Sequence, residues 1–195
     1  MAKLGLDEIM DLREYERVRE VFRREIIDHK KIRRVTLGPI LTALFESKNT
    51  IKFQIQEMAR AEKMTSDEAI IQELDTYEPL VPKQHQMVAT VFIELVTKEE
   101  LMHWLPLLVG IEKSIALILN DGEVVRAKPE KEHESQLTRS DITSTVHYIT
   151  FDMSEAQVGK FTSGDLQLMV DHSEYQYSTK LSEGFRQSIL SDWAD

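Results

Sequence analysis

IKFQIQEMARAEKMTSDEAIIQELDTY, residues 51–77, reads as two amphipathic helices joined by a capped turn. At about 100° per residue, Ile51, Ile55, Met58 and Ala59 share one arc of the first helix, and Glu62 falls near the middle of that arc. Phe53, Glu57 and Arg60 cluster on the other side, so a large aromatic sits among charges. Thr65 followed by Glu68 has the spacing of a capping box, in which a hydroxyl takes one orphan amide and a carboxylate reaches back to the cap amide. The second helix carries Ile70, Ile71, Leu74 and Tyr77 on one side, with Glu73 beside Tyr77. A carboxylate half-buried against such stripes must be paired, neutralised or bound to a cation. The plainer alternative is that Glu62 reaches water from the end of the stripe, while Glu57 and Arg60 are ordinary surface groups.

Upstream, Asp7 can cap a long helix running to about His29, with Leu12, Tyr15, Val18, Phe22 and Ile26 on one face. Its end is basic, through Arg23, Arg24, Lys30, Lys31, Arg33 and Arg34. Cations there complement the helix dipole; the sharper alternative is that Arg33 and Arg34 line an anion site. Val35-Thr36-Leu37-Gly38-Pro39 predicts a short strand broken by a turn. Residues 41–45 read as a strand or a helical turn, and residues 47–50 as a loop. Pro79 and Pro82 make residues 78–83 an extended connection.

Downstream the period changes. Residues 88–96, VATVFIELV, predict a central strand apolar on both faces. Thr97 and Glu100 open a helix that carries Leu101, Trp104 and Leu108 inward and ends at Gly110. Residues 114–119 and 123–127 flank Asn120-Asp121-Gly122, a hairpin signal. Residues 128–140 are charged and without apolar period, and read as a mobile loop. In residues 143–151 alternation puts Thr145, His147, Ile149 and Phe151 on one face. A second polar loop precedes a strand at 165–170, and residues 181–193 form a short amphipathic helix. No internal repeat is present. The expectation is a single α+β domain over residues 1–195. Its mainly helical part, 1–80, packs on a largely antiparallel sheet of about five to seven strands from 81–195.

Composition narrows the function classes. A chain of 195 residues with 42% hydrophobic and 30% charged content can bury a substantial core. A formal net charge of −10 opposes generic nucleic-acid binding. The absence of cysteine excludes disulfides, thiolate catalysis and cysteine-ligated zinc or iron–sulfur centres within this chain. MAKLGLDEIMDLREYERV becomes charged too soon for a signal peptide, and no run approaches the about 18 apolar residues of a membrane span. The expected location is cytoplasmic.

The chemical motifs are sparse. Glu100 and His103 have the Glu-x-x-His spacing of di-iron bundles, but such sites need two of these motifs and two further glutamates on four helices. Glu25 and His29 fit an intrahelical contact. His147 and His172 fall in or beside strands and could share a metal with an acidic neighbour; satisfied core histidines are the plainer account. No Gly-rich phosphate loop, nucleophile elbow or metalloprotease signature occurs, so no cofactor is expected.

Three segments together resemble an uncharacterised bacterial family classed as a domain of unknown function: RRVTLGP (33–39), QIQEM (54–58) and ELDTY (73–77). ATVFIE (89–94) and Val170-Asp171-His172 are similar to it as well. Members of that family are often encoded beside a rubrerythrin and an iron–sulfur oxidoreductase. The resemblance therefore implies a role near peroxide defence or electron transfer, and it transfers no catalytic residue.

Three readings follow. The first is a non-catalytic accessory protein of a redox or peroxide-stress system, docking on a rubrerythrin-like or iron–sulfur partner. The second is a small-molecule-binding protein or enzyme for an anionic or zwitterionic ligand, with Arg33, Arg34, Gln56, Glu57, Arg60, Glu73 and Tyr77 around a mixed-charge pocket. The third is a metal protein using His147 and His172. A homo-oligomer stays among the alternatives.

Overall fold

The computed structural model describes residues 4–130 and 141–194; residues 131–140, most of the expected loop, lie outside the described residues. The fold is α+β, as the change of period predicts. Helix α1 (Leu12–Arg33) starts where the Asp11 carboxylate accepts the amides of Arg13 and Glu14 at 2.8 and 2.9 Å. Asp7, the expected cap, belongs instead to a separate 3-10 turn, Leu6–Glu8. Strands β1 (Arg34–Leu37) and β2 (Leu41–Phe45) then form a hairpin. Helices α2 (Lys48–Ala61) and α3 (Asp67–Tyr77) follow, and β3 (Gln86–Ile93) begins the second half.

Four capping details differ from or sharpen the sequence reading. Residues 47–50 are not a loop: the Ser47 hydroxyl accepts the Thr50 amide at 3.3 Å, and the Thr50 hydroxyl accepts the Ser47 amide at 2.8 Å, so this segment nucleates α2. The cap of α3 is Ser66 rather than Thr65. Thr97 and Glu100 close the expected box on α4 (Lys98–Leu107). Gly110, at φ 89°, ends the turn that follows.

Strands β4 (Ile115–Ile118) and β5 (Val124–Arg126) form the expected hairpin, and β6 (Lys128–Pro129) lies where a loop was expected. Strand β7 (Val146–Asp152) buries His147, Ile149 and Phe151 on one face, as its alternation predicts. The second polar loop is largely helix α5 (Glu155–Phe161), capped by Ser154 and anchored by buried Phe161. Strands β8 (Gln167–His172) and β9 (Tyr175–Lys180) and helix α6 (Glu183–Ala194) complete the described chain.

The strands form two antiparallel sheets, β1-β2-β3-β7-β6 and β5-β4-β8-β9. Strand β3 is central, between β2 and β7. The expected single sheet is therefore divided, and β1 and β2 come from the mainly helical part. The division has a packing reason. Ala89, Val91, Ile149 and Phe151 of the first sheet share one apolar cluster with Ile115, Leu117, Leu168 and Val170 of the second. Phe45 stands between Phe151 and Phe185, with ring centroids 6.1 and 4.8 Å away. On its opposite face the first sheet contributes Val88 to a smaller cluster with Ile51, Ile55, Leu74 and Leu80, which holds α2 and α3 against it.

The β1–β2 turn is fastened from a distance. The Tyr175 hydroxyl donates to the Leu37 carbonyl at 2.7 Å and accepts the Ile40 amide at 3.1 Å. Gly38, at φ 70°, lies so close that an added β-carbon would fall 2.6 Å from that hydroxyl and from the Tyr177 ring. Only glycine combines that left-handed backbone with that approach.

Candidate functional site

A cavity of about 230 Å³ lies between the helix-side face of the first sheet and the surrounding helices. The alternation of β2, β3 and β7 supplies its floor: Leu44, Thr90 and Tyr148 are register partners, and Phe92 with Val146 forms the next row. Thr50, Ile51 and Gln54 of α2 cover it, Lys30 of α1 reaches it from one side, and Tyr77 and Leu80 close the end of α3.

At its inner end sits Glu46, one residue past β2 and only 7% exposed. Its amide donates to the Val88 carbonyl at 2.8 Å, which extends the ladder into the strand–helix junction. Both carboxylate oxygens accept hydroxyl protons, from Thr50 at 2.5 Å and from Thr90 at 2.6 Å. The Glu46 carbonyl accepts from Arg33 at 3.0 Å. Behind this group the His29 ring nitrogen Nε2 lies 3.0 Å from the Ser47 hydroxyl. Burial, reinforced by the nearby Arg33 charge, lowers the His29 pKa, so the imidazole is neutral at pH 7. Burial likewise raises the Tyr148 pKa, with Tyr77 and Glu46 adding to the effect, so that phenol keeps its proton. The result is a buried carboxylate inside a connected polar network, opening on a cavity walled mainly by aromatic and aliphatic side chains, with Gln54 and Lys30 as further polar groups.

A larger cleft of about 550 Å³ lies between the Leu6–Glu8 turn and the α2–α3 junction. Asp11 and Ser66 in its walls are spent on helix caps. The chemistry is concentrated in the smaller cavity.

The seven residues expected to converge do not share one pocket. Tyr77 lines the Glu46 cavity and the other six do not. Arg33 is completely buried, and its guanidinium is consumed by Ser188, Asp192 and the Glu46 carbonyl. It acts one step behind the cavity, by fixing the backbone of Glu46. Arg34 faces outward, pairs with Glu94 at 3.1 Å and lies 5.5 Å from the Phe92 ring centroid. Gln56 is completely buried and matched to backbone: its oxygen accepts the Met10 amide at 3.0 Å and its nitrogen donates to the Met10 carbonyl at 2.9 Å.

Glu57 accepts a two-pronged contact from Arg19 at 2.8 Å and the Tyr15 hydroxyl at 2.6 Å. The Arg19 guanidinium holds the Glu57 carboxyl down at about 2, while burial, followed by that same carboxylate, pushes the Tyr15 phenol up. Arg60 pairs with Glu16 at 2.5 Å. Burial, with Glu62 nearby, raises the Glu73 pKa. Glu62 itself is exposed at the end of α2, as the plainer reading had it. The polar groups of α2 are thus held by partners, but mostly by partners on α1 and the chain before it.

The two histidines of the metal reading stand in different sheets. His147 belongs to the first sheet, where Nε2 lies 3.0 Å from both the Thr143 hydroxyl and the Ser144 carbonyl. His172 belongs to the second sheet; one ring nitrogen faces the Val109 carbonyl at 3.1 Å and the other accepts the Glu174 amide at 3.3 Å. Among the described residues no three His, Asp or Glu side chains are grouped as metal ligands. Glu46 falls between the segments 41–45 and 47–50, neither of which the sequence reading extended to it. The available signal was Thr42, Leu44 and Glu46 at period two, followed by Ser47 and Thr50 at cap spacing.

Fold and cavity define an α+β protein with a small polar site between a sheet and its helices. The chain belongs to the family described as "Protein of unknown function (DUF3501)", which matches residues 3–193. It is similar to a solved protein of unknown function from Burkholderia pseudomallei K96243. The two are 33% identical, the match covers 98% of this chain and 99% of that one, and the TM-score is 0.89. No curated protein matches. Among the described residues no helix is long and apolar enough to cross a membrane.

Proposed function

We propose that this protein binds a small polar molecule in the cavity headed by Glu46. The observation that supports the reading is the buried carboxylate itself, held by Thr50 and Thr90 and exposed to the cavity at its inner end. Carboxylates removed from water require compensation, and two neutral hydroxyls leave part of the acceptor capacity unused. At about 230 Å³ the space lies below the about 300–1,000 Å³ of drug-sized sites, which suits a small metabolite. The reading concerns binding, and no reaction is part of it. Methyl-resolved NMR during titration with pools of small metabolites tests it. Shifts concentrated at Thr50, Ile51 and Thr90 are expected, whereas responses confined to other surfaces refute it.

We propose as a second reading that the chain docks onto a partner protein; the redox character of that partner comes from the family resemblance alone, and the surface has a separate support. Val96 and Met102 stand 91% and 69% exposed, next in sequence to Leu95 and Leu101 of an open cleft that also includes Phe92. Mixing with a rubrerythrin-like protein tests this role, and the absence of any complex at micromolar concentrations counts against it.

A further inference from the structure

We infer that the ligand of the Glu46 cavity carries a primary ammonium group seated on that carboxylate, and that its best ligands also carry an acid group turned toward Lys30. The inference rests on the small-molecule reading above and adds the chemistry of the occupant.

The protons around Glu46 are already committed. The Thr50 hydroxyl has one proton and two acceptors within reach, Glu46 Oε2 at 2.5 Å and the Ser47 carbonyl at 3.0 Å, and its oxygen already accepts the Ser47 amide at 2.8 Å, so it has no donor left for a ligand. The Thr90 hydroxyl directs its proton to Glu46 Oε1 at 2.6 Å. The inner end of the cavity therefore offers lone pairs and negative charge, and a complementary ligand must bring donors. Among the described residues, no cation forms an ion pair with this carboxylate; Arg33 reaches only its backbone carbonyl. A buried carboxylate without a counter-ion gains most from a cation that arrives with the ligand. Tyr77, Phe92 and Tyr148 supply aromatic walls, which accept an ammonium group better than an anion. Lys30 lines the same space, and it disfavours a bare amine while favouring a zwitterion.

The test uses matched probes on the wild-type protein at pH 7: butylammonium, butyrate and the ω-amino acids of two to five carbons. The readout is the methyl shifts of Thr50 and Thr90. The expected result is that butylammonium binds at least about tenfold more tightly than butyrate, with one of the ω-amino acids tighter still. Glu46→Gln, checked by unchanged signals far from the cavity, should remove the preference for ammonium. Butyrate binding as tightly as butylammonium overturns the ammonium assignment and leaves the pocket reading intact. If none of the probes moves Thr50 or Thr90, both fall. Should Glu46→Gln fail to fold, the wild-type comparison decides alone.

Discussion

Replacing Arg33 with methionine separates a strut from a ligand-binding residue. The side chain is completely buried: Nε donates to the Ser188 hydroxyl at 2.8 Å, Nη1 to the Glu46 carbonyl at 3.0 Å, and Nη2 to the Ser188 carbonyl and to Asp192 Oδ2, each at 2.6 Å. It therefore ties the end of α1 to the β2–α2 junction and to α6. Methionine fills much of the same volume but returns none of these bonds. Breaking a buried pair costs about 3–5 kcal/mol. The Asp192 side chain is 24% exposed and can rehydrate in part, which places the expected loss near about 3 kcal/mol. With a urea dependence of about 2–3 kcal/mol/M, the unfolding midpoint should fall by about 1–1.5 M. Equilibrium urea unfolding followed by tryptophan fluorescence measures this, since Trp193 sits on α6 beside the broken contact. Arg33→Lys should lose most of the same stability, because an ammonium cannot fork in these directions. A loss below about 1 kcal/mol for Arg33→Met would refute the strut. An Arg33 that served a ligand directly would instead leave stability unchanged and weaken binding.

Two further outcomes are expected. Glu57 is held at about 2 by Arg19, below its ordinary 4.5. A depressed folded-state pKa contributes stability that is present above 4.5 and lost as pH falls toward 2. The shift corresponds to about 3 kcal/mol, reduced by solvent screening to about 1–2 kcal/mol for a side chain 27% exposed. Urea midpoints of wild type and Glu57→Gln should therefore differ at pH 7 and converge toward pH 2, and parallel curves would contradict this. Gln56→Leu removes both bonds to Met10, at a cost of about 1–3 kcal/mol. Hydrogen exchange at the Met10 amide should accelerate, and unaltered protection there would count against the assignment.

Much of the fold was legible because burial writes periodicity. The 3.6-residue spacing located α1, α2 and α3, the β-rich run gave β3, and Asn120-Asp121-Gly122 gave the β4–β5 hairpin. Alternation also placed His147, Ile149 and Phe151 on a buried face. It could not say which strands pair, and so one sheet was expected where two exist. Strand β9 left little signal because, between its ends, the residues after Tyr175 are mostly exposed. Helix α5 was hidden by its shortness, seven residues with Gly159 inside, although Ser154 and Gln157 formed a readable cap. For the site, the polar groups of α2 were recognised as held, but the reading assumed that they faced one another. Gln56 and Glu57 in fact satisfy the segment before α1 and α1 itself, partners 46 and 38 to 42 residues away. Glu46 depends on contacts to Thr50 in sequence and to Thr90 across the sheet, and only the nearer could have been guessed.

The phenol that clasps the first hairpin has a consequence for how the chain reaches its final form. Ile40 and Leu37 wait for a side chain 135 and 138 positions later. Arg33 likewise waits for Ser188, 155 positions on. Closing such long loops carries an entropic cost before any contact rewards it, and chains rich in distant pairings fold slowly. During synthesis the hairpin tip therefore stays unlatched until β9 and α6 emerge, so segments made much later lock one made earlier.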